Sequence, residues 1–465
     1  MKNSVAVIGA GITGLTAAFR LKQNGFAVTL FEASARPGGV IRSIQRDGWL
    51  AECGPNTMLE TSPRITHLVE DPALGIADRR RDASPLSSNR FILKSGKPML
   101  LPGSAAGFMK TRLFSRRSKL RLLAEPFIRG RAPEAPEESL ADFVRRRIGP
   151  EFLDYAINPF VAGVYAGDPE KLSVQHGFPK LHALEQEYGS LILGQILGAR
   201  KRKKRGTVAK DRAKQLSFDQ GLQVLPDALA SELESCLRLN APVTRVLQTK
   251  DGHWGVEAGN RDAPQTFDSI ILSLPAHRLA ELEFQTPQGG QGPADSQSLS
   301  LLKEVYYPPV ASVVLGFRRQ GIAHPLDGFG TLNPEVEKVH TLGTLFTSTL
   351  FPDRAPPGHV LLTTYLGGAR QPELALKRED ERVELVLKDL RAIYGAKEEP
   401  IFTHSFLYKQ AIPQYEVGYG RYLRTMERFE ADHPGIHLAG HCRDGISLAD
   451  SILSGEKVAE KITMA

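Results

Sequence analysis

The chain of 465 residues has little cysteine and no long apolar run, and these absences exclude several classes of protein. Its three cysteines, Cys53, Cys236 and Cys442, are too few for a disulfide framework, and their spacing matches no zinc site. No uninterrupted apolar stretch approaches the roughly 18 residues that mark a membrane-spanning helix. The apolar stretch after Ser4 is too short for a secretory signal, and no cleavage site follows it. We therefore expect a cytoplasmic protein in a reducing environment, without a metal site.

The composition is that of a globular protein with a substantial core. Hydrophobic residues make up 41% and charged residues 24% of the chain, which excludes a disordered protein. At roughly 100–200 residues per domain, the length predicts two or three domains. The formal net charge of +7 favours anionic partners, which include acidic lipid, nucleic acid and a carboxylated substrate. Charge alone does not choose among the three.

The first 32 residues contain a signature for binding a dinucleotide. Their pattern predicts a buried strand over 5–8, a helix over 15–21 and a second strand over 27–31. The first glycine of the GxGxxG motif permits a tight turn, the second lets the backbone approach a pyrophosphate, and the third allows close packing of helix and strand. Glu32 follows the second strand and can accept hydrogen bonds from both hydroxyls of an adenosine ribose. The motif comprises Gly9, Ala10, Gly11, Ile12, Thr13 and Gly14.

Two further glycine motifs favour FAD over NAD as the cofactor. Arg36-Pro37-Gly38-Gly39 and Glu52-Cys53-Gly54-Pro55 follow shortly, and paired glycines let the backbone pass close to a flat ring or a phosphate. These motifs resemble the N-terminal signature of the flavin amine oxidase superfamily. The segments 438–440 and 445–448 resemble its second flavin contact, a helix N-terminus that stabilises negative charge on the reduced ring.

This resemblance implies a set of FAD contacts beyond the first glycine motif. It also implies a non-covalent cofactor, because Cys53 and Cys442 lie outside the attachment motif of the relatives. The implied contacts are Ala33, Gly38, Gly39, Val40, Gly54, Pro55, Asn56, Thr57, Val243, Ile446, Ser447 and Leu448.

The middle of the chain resembles one family within this superfamily. Residues 158–168, NPFVAGVYAGD, with Lys171-Leu172-Ser173 after them, are similar to a signature of the protoporphyrinogen oxidases. The cluster around Gly163 is the most specific part, because general amine oxidases lack it. With the N-terminal motif, the resemblance spans residues 9–455. Four further segments agree with this family: 217–225, 328–330, 412–415 and 445–455.

The resemblance implies oxidation of a porphyrinogen to a porphyrin in haem biosynthesis. Relatives divide between protoporphyrinogen IX and coproporphyrinogen III, and we favour the first, with two carboxylates instead of four, because Asn56 replaces a possible cation and residues 329–332 offer no charge. Six electrons leave the substrate through FAD, and molecular oxygen reoxidises the flavin three times and gives hydrogen peroxide. A large macrocycle with carboxylate arms suits an apolar pocket with a few cationic anchors. Positioning and the flavin carry the chemistry, so no catalytic side chain is assigned.

The same resemblance implies six substrate contacts. Arg90 matches the arginine that holds a propionate, for which its fork of donors suits a carboxylate. Gly163 matches a glycine that leaves room beside the macrocycle, and Tyr365 falls where relatives carry a bulky apolar residue. Asn56 stands where some members have arginine, which removes a second cationic anchor. For each position a purely structural role stays open. The six are Arg90, Gly163, Phe329, Gly330, Leu332 and Tyr365.

Together these patterns predict an α/β fold with a Rossmann-like FAD-binding domain, a mixed-sheet substrate domain and an inserted helical lobe that associates with a membrane. We expect the FAD-binding domain over 1–88, 208–275 and 430–465, the helical lobe over 89–207, and the substrate-binding domain over 276–429. The polar runs 200–205 and 285–298 are expected to be loops. Helices are predicted over 118–127, 139–148, 184–197, 380–393 and 448–462, and strands over 242–247, 254–257, 269–273 and 435–440 and within 309–370.

Residues 98–130 combine apolar and basic side chains in the balance of a segment that lies on an anionic membrane surface. We expect peripheral association with the cytoplasmic face of a membrane, with the next enzyme of the haem pathway as a candidate partner. A soluble helical lobe with a basic face is the alternative. The apolar residues are Met99, Leu100, Leu101, Phe108, Met109, Leu113 and Phe114, and the basic ones are Lys110, Arg112, Arg116, Arg117, Lys119 and Arg121.

Other functions stay open on sequence grounds. An oxidase or desaturase acting on an amine or a carotenoid would keep the fold, but would not account for the cluster around Gly163. A non-catalytic carrier of prenylated proteins could retain the nucleotide fold without keeping both flavin contacts. Nucleic acid is not expected as a partner, because the basic run 200–205 has no interleaved aromatic residues.

Overall fold

The computed structural model describes residues 3–132, 134–204, 213–259, 264–285 and 299–464. The run 286–298 and Arg205, both within predicted loops, lie outside the described residues. Within the described ranges, no helix combines the length and the apolar composition needed to cross a membrane.

The strands and helices follow the order of the chain. The strands are β1 (Ser4–Ile8), β2 (Ala27–Phe31), β3 (Ser43–Arg46), β4 (Trp49–Glu52), β5 (Met58–Leu59), β6 (Arg80–Asp82), β7 (Arg90–Lys94), β8 (Lys97–Leu100), β9 (Gln215–Phe218), β10 (Leu237–Arg238), β11 (Val243–Gln248), β12 (Trp254–Ala258), β13 (Gln265–Phe267), β14 (Ser269–Leu272), β15 (Glu283–Gln285), β16 (Val310–Arg318), β17 (Gly330–Leu332), β18 (Thr341–Leu345), β19 (His359–Gly367), β20 (Phe402–Tyr408) and β21 (Ile436–Leu438). The helices are α1 (Ile12–Gln23), α2 (Pro63–Val69), α3 (Ala105–Lys110), α4 (Arg116–Leu123), α5 (Leu140–Arg147), α6 (Pro150–Phe152), α7 (Asn158–Tyr165), α8 (Val174–Gly177), α9 (Pro179–Tyr188), α10 (Leu191–Lys204), α11 (Val224–Glu232), α12 (Ala276–Leu279), α13 (Thr347–Leu350), α14 (Pro372–Ala375), α15 (Glu379–Tyr394), α16 (Gly420–Asp432) and α17 (Leu448–Met464).

A five-stranded parallel sheet carries the N-terminal signature. Its strand order is β10, β2, β1, β14 and β21, and all of its strand pairs are parallel. A parallel sheet needs cover on both faces. Val5 and Val7 of β1 pack with α1, α11 and α17, whereas Ala6 and Ile8 pack with α12 and α16. The predicted Rossmann-like arrangement is confirmed.

A seven-stranded mixed sheet forms the second major layer. Its order is β20, β16, β19, β18, β17, β7 and β8, and only the β17–β7 pair is parallel among its described strand pairs. One face packs on α15 through a cluster that includes Val313, Leu362 and Leu390. The opposite face contacts β4 and α7 through Val314 and Val310 respectively. The candidate site lies on this second face.

The division into three domains stays a prediction, but two short segments pair with strands outside the domain predicted for them. Residues 90–100 form β7 and β8 of the seven-stranded sheet instead of helical structure, because β7 pairs with β17. In the same way, β15 pairs with β11, which places residues 283–285 beside the nucleotide-binding part of the chain.

The helical lobe comprises α3 to α10 and has a core of its own, which includes Phe114, Phe143 and Val161. A fully buried ion pair joins Arg147 of α5 to Glu125. The Glu125 carboxylate also accepts N–H groups at the start of α10. It therefore ties three parts of the lobe together.

Two expectations for the end of this lobe are wrong. The predicted helix over 184–197 is two helices, because Gly189 ends α9 in the left-handed region with φ of +67°. The predicted loop 200–205 is helical as far as Lys204, where α10 ends. Lysine and arginine are good helix formers, so a charged run can continue a helix that has already started.

Candidate active site

The GxGxxG loop joins β1 to α1 as predicted, and its glycines have distinct environments. Gly9 has φ of +101°, which favours glycine. A Cβ atom on Gly14 would overlap the Gly9 carbonyl oxygen, so α1 can pack this closely on the turn only with glycine there. A Cβ atom on Gly11 would meet no atom within 4 Å. The open side of the loop is therefore at Gly11, where the N-terminus of α1 can receive a pyrophosphate.

Glu32 directly follows β2, and its carboxylate is already hydrogen-bonded within the protein. One oxygen accepts from the Ala10 N–H at 2.9 Å, and the other accepts from the N–H and the hydroxyl of Ser34 at 2.9 and 2.7 Å. Because a carboxylate has about four lone-pair sites, about one remains for a ribose hydroxyl. The Ala241 N–H donates to the Glu32 carbonyl at 2.9 Å, so β11, which starts at Val243, begins beside this position.

The second glycine motif lies against the first. The Gly38 N–H donates to the Ala10 carbonyl at 2.8 Å. The Arg36 guanidinium donates to the carbonyls of Gly39 at 2.6 Å and of Ile41 at 3.1 Å, which holds the loop in shape. Of the other predicted cofactor contacts, Ala33, Gly39 and Val40 are exposed, and Gly54, Pro55 and Thr57 are half-buried.

The third glycine motif packs against the second. A Cβ atom on Gly54 would overlap the Val40 carbonyl oxygen, which also accepts from the Tyr408 hydroxyl at 3.0 Å. Tyr408 lies in β20, so this contact joins the predicted cofactor loops to the seven-stranded sheet. No motif in the sequence indicated a role for Tyr408.

The second predicted flavin contact lies at the N-terminus of α17. The Ser447 hydroxyl caps this helix by accepting from the Asp450 N–H at 3.1 Å. The Thr13 hydroxyl of α1 donates to the Ser451 carbonyl at 3.0 Å, and Gly455 allows the close approach of the two helices. Since α1 and α17 follow strands of one parallel sheet, both N-termini lie at the carboxyl edge of that sheet, with Ile446 and Leu448 beside it.

These residues fit FAD. The backbone is open at Gly11, the loop at Gly39 and Val40 is exposed, and two helix N-termini meet at one sheet edge, where their positive ends favour phosphate and a negatively charged ring. Burial raises the pKa of Cys53 to about 11 and that of Cys442 to about 12. Both cysteines therefore remain neutral thiols.

Four of the predicted substrate residues, Arg90, Gly330, Leu332 and Tyr365, lie on one face of the seven-stranded sheet, whereas Phe329 directly precedes β17 and Gly163 lies on α7. Leu332 of β17 is opposite Gly343 of β18, which is opposite Tyr365 of β19. Arg90 of β7 is paired in parallel with Gly330 of β17, which lies two residues before Leu332 along that strand. Because side chains alternate along a strand, residues two apart point to the same face. The sheet register therefore brings together residues that are up to 275 positions apart, from Arg90 to Tyr365.

Arg90 is half-buried at the edge of this face. Its guanidinium lies 5.6 Å from the centre of the Phe329 ring. Among the residues that the structure describes, no carboxylate forms an ion pair with it. Gly330 has φ of +149°, and a Cβ atom there would overlap the Thr344 carbonyl oxygen. Gly330 is therefore required for the pairing of β17 with β18, whatever it contacts in a complex.

Gly163 lies on α7 directly against Leu332. A Cβ atom on Gly163 would overlap a Leu332 methyl group. The space beside this glycine is thus filled by the Leu332 side chain. A larger residue at this position would require the Leu332 side chain to move, and the proposed role of Gly163 beside the macrocycle stays a prediction.

Asn56 and Tyr365 meet, although nothing in the sequence connected them. The Asn56 amide donates to the Tyr365 hydroxyl at 2.6 Å and to the Gly54 carbonyl at 3.2 Å. The Asn56 side-chain oxygen is buried and has no hydrogen-bond partner among the described residues. Burial raises the pKa of Tyr365 well above its usual value, so the hydroxyl stays neutral. A predicted cofactor loop and the predicted substrate face are therefore joined here by neutral groups.

The segment 217–225 is positioned by a buried carboxylate. Glu52 of β4 is 1% exposed and accepts from the Leu222 N–H at 2.8 Å and the Ser43 hydroxyl at 2.6 Å. Burial raises the pKa of Glu52 to about 7. The Arg354 guanidinium, also buried, donates to the Ser217 hydroxyl at 2.8 Å. This segment is thus fixed against β4, the strand that leads to Gly54.

Comparison with known proteins extends over the whole chain. Residues 12–463 match the family described as Flavin containing amine oxidoreductase. The mitochondrial protoporphyrinogen oxidase of Nicotiana tabacum is 37% identical over 98% of this chain and 94% of its own. The coproporphyrinogen III oxidase of Bacillus subtilis (strain 168) is 30% identical over 98% of this chain and 97% of its own. A crystal structure from Exiguobacterium sp. 255-15 is 25% identical, with a TM-score of 0.80, and covers 100% of this chain and 99% of its own.

The comparisons agree with the geometry of the site. The prediction of an FAD-dependent oxidoreductase is confirmed, because the family is flavin-containing and its match includes α1, the glycine motifs after Glu32 and α17. The chain belongs to the flavin containing amine oxidoreductase family and, within it, to the protoporphyrinogen oxidases.

Proposed function

We propose that this chain oxidises protoporphyrinogen IX to protoporphyrin IX in haem biosynthesis, with molecular oxygen as the electron acceptor. The observation that supports it most is the sheet face where Arg90, an arginine without an ion-pair partner among the described residues, lies beside Phe329. The same face carries Leu332 and also Tyr365, which is hydrogen-bonded to Asn56 of a cofactor loop. A macrocycle with carboxylate arms needs such a combination of apolar wall and cation. The likeness to the tobacco enzyme over 98% of the chain agrees with it.

The residues of the chain have limited tasks in this reaction. Bound FAD supplies the two-electron oxidation, which must occur three times for each substrate molecule. Arg90 binds a carboxylate through its fork of donors and so fixes the orientation of the macrocycle. Phe329 and Leu332 provide the apolar wall, and Asn56 with Tyr365 adds neutral polar groups. We expect the cofactor to be held without a covalent bond, and the raised pKa of Cys53 and of Cys442, which disfavours their thiolate forms, supports this.

Protoporphyrinogen IX is favoured over coproporphyrinogen III because of charge. The second substrate has four carboxylates instead of two, and each must be paired or left in water. At the site, Asn56 is hydrogen-bonded to Tyr365 and residues 329–332 carry no charge. Coproporphyrinogen III remains the second candidate, because the Bacillus subtilis relative is an oxidase of that substrate.

Comparing kcat/KM for both substrates in one preparation tests the choice. We expect the higher value with protoporphyrinogen IX. A tenfold preference for coproporphyrinogen III, about 1.4 kcal/mol in transition-state stabilisation, would reverse the assignment. If neither porphyrinogen bleaches the flavin of the yellow protein under anaerobic conditions, the proposal of a porphyrinogen oxidase fails as a whole.

We also propose peripheral association with the cytoplasmic face of an anionic membrane. Exposed apolar side chains of the helical lobe support this, and residues 110–129 of the lobe also carry the exposed basic residues Lys110, Arg112, Arg116, Arg117, Arg121 and Arg129. Three residues of the predicted surface do not belong to it: Leu113 and Phe114 lie in the core of the lobe, and Lys119 is buried, where it donates to the Met109 and Thr111 carbonyls. The exposed apolar residues of the lobe, with their exposed fractions, are Met109 57%, Leu120 67%, Leu123 58%, Phe127 90%, Ile196 65% and Leu197 57%, and Leu100 of the neighbouring strand β8 is 51% exposed.

Flotation with anionic vesicles at low salt tests this membrane proposal. The wild-type protein should float, and adding salt should reduce the floating fraction, because basic side chains contribute to binding. Replacing Leu120 and Phe127 by serine should reduce flotation. The matched control is Leu376→Ser, which removes a leucine that is 56% exposed outside the lobe. Equal flotation of the two variants would refute the assignment of the surface. On such a membrane, the next enzyme of the haem pathway could take up the poorly soluble product directly.

A further inference from the structure

The segment 412–415 belongs to the sequence signature, yet none of its side chains has a role in the site described so far. Its Gln414 is 2% exposed and its Tyr415 5% exposed. Both carry polar groups, and buried polar groups in proteins are normally hydrogen-bonded. Their partners lie on opposite sides of the segment and belong to two different parts of the site.

Tyr415 holds the loop that leads into α17. Its hydroxyl donates to the His441 carbonyl at 2.5 Å and accepts from the Gly445 N–H at 3.1 Å. One side-chain oxygen thus bridges the two ends of the loop 441–445. Gly445 has φ of +119° and immediately precedes the predicted flavin contacts Ile446 and Ser447. Burial raises the pKa of Tyr415 well above its usual value, so the hydroxyl keeps the proton that it donates.

Gln414 holds the end of α7 on the other side. Its side-chain amide donates to the Tyr165 carbonyl at 2.9 Å, at the C-terminus of that helix. The backbone makes a second contact with the same lobe, because the N–H of Ser173, which precedes α8, donates to the Tyr415 carbonyl at 2.8 Å. The helix α7 carries Gly163, which lies against Leu332 of the substrate face. The segment therefore contacts the cofactor side and the substrate side through adjacent residues.

We propose that residues 414 and 415 are positioning residues: Tyr415 sets the N-terminus of α17 relative to the flavin, and Gln414 sets α7 relative to the substrate face. This inference rests on the proposed function, since it assigns the two ends of the link to cofactor and porphyrinogen. A helix N-terminus stabilises negative charge only near its first turn, so small displacements of Gly445 change its effect on a reduced ring. Neither residue needs to touch a reacting atom.

Tyr415→Phe tests the first half, because it keeps the ring and removes both hydrogen bonds. The midpoint potential of the bound flavin, measured with a chemical reductant and without porphyrinogen, should fall by about 30 mV, which is a tenfold change for a two-electron couple. The matched control is Tyr165→Phe, which removes the hydroxyl donor to the Gly177 carbonyl at 2.7 Å from an equally buried tyrosine. The control should leave the potential unchanged. If Tyr415→Phe keeps the wild-type potential, or if both variants shift the potential by the same amount, the proposed role of Tyr415 is overturned.

Gln414→Leu tests the second half and keeps the proposal open to refutation if the tyrosine variant does not fold. The KM for the porphyrinogen should rise several-fold, while the flavin absorbance spectrum and potential stay as in the wild type. A shifted flavin potential with an unchanged KM would contradict the assignment of Gln414. Because the flavin measurements use no porphyrinogen, they remain valid if the substrate proposal fails.

Discussion

The buried carboxylate of Glu52 should make the stability of the fold depend on pH near neutrality. Glu52 is 1% exposed and makes two hydrogen bonds, to the Ser43 hydroxyl and to the Leu222 N–H. Burial is the largest cause of its raised pKa, and these hydrogen bonds together with Arg354 oppose it. The net result is a rise from 4.5 to about 7.

The sign of the effect follows from proton binding. Between pH 4.5 and about 7 the folded chain keeps a proton on Glu52 that the unfolded chain has lost. The free energy of unfolding therefore falls as the pH rises through this window. At about 1.4 kcal/mol per pH unit, the rise from 4.5 to about 7 corresponds to about 3 kcal/mol lost above pH 7.

Glu52→Gln should remove this dependence. The amide oxygen can still accept from the Leu222 N–H, and the amide nitrogen can donate to the Ser43 oxygen, so the packing and the first hydrogen bond are kept and the second is reversed in direction. Relative to the wild type, the variant should gain up to about 3 kcal/mol of unfolding free energy as the pH is raised from 5 to 8. Denaturant unfolding of the FAD-saturated proteins at a series of pH values measures this difference.

Glu60→Gln is the matched control with the opposite sign. Glu60 forms an ion pair with Arg80 at 2.9 Å, and this hydrogen-bonded partner lowers its pKa. The ion pair contributes to the free energy of unfolding above the pKa that Glu60 has in the unfolded chain, and this contribution is lost as the pH falls through the lower pKa of Glu60 in the folded chain. Glu60→Gln should therefore be less stable than the wild type at pH 7. A stability difference between Glu52→Gln and the wild type that stays constant from pH 5 to 8 would refute the reasoning about Glu52.

Two further predictions concern the cofactor and the substrate. Gly11→Val should fold without retaining FAD, because a Cβ atom there meets no protein atom within 4 Å but enters the space expected for the pyrophosphate. Gly14→Ala should instead lower the thermal stability itself, because its Cβ atom overlaps the Gly9 carbonyl oxygen. A fully yellow Gly11→Val protein would show that the pyrophosphate lies elsewhere. Arg90→Ala should lower kcat/KM by roughly ten- to a hundredfold, since a charge-assisted hydrogen bond contributes about 1.5–3 kcal/mol, and flavin reoxidation should change less. Arg318→Ala, which removes an exposed arginine of β16, serves as the control, and equal kcat/KM in the two variants would remove Arg90 from the site.

Much of the nucleotide-binding part was predictable from short stretches of sequence. The strand over 27–31 was predicted with its observed bounds, and the turn between β1 and α1 needs glycine for reasons that lie within six residues. Local periodicity also predicted α5, α15 and α17 to within a few residues. In these cases hydrophobic spacing and backbone conformation act over one element, so neighbouring residues contain the information.

The break between α9 and α10 shows where that information ends. Gly189 lies inside a run with helical spacing, and glycine can be accommodated within a helix at moderate cost. Here it takes φ of +67°, and the next helix starts where the distant Glu125 accepts its first N–H groups. The choice between one helix and two therefore depended on a tertiary contact.

The sequence by itself determined the cofactor class, because the glycine motifs and their spacing specify it. The apolar substrate face with a single cation stays a prediction from the family resemblance. Only the tertiary structure decided which residues meet. The register of β17, β18 and β19 places Leu332 in a row with Tyr365, and Asn56 reaches Tyr365 across 309 positions of the chain. Gln414 and Tyr415 likewise acquire partners only when α7 and α17 approach the same segment. Such contacts depend on strand pairing and helix packing between remote parts of the chain, and no local pattern of residues encodes them.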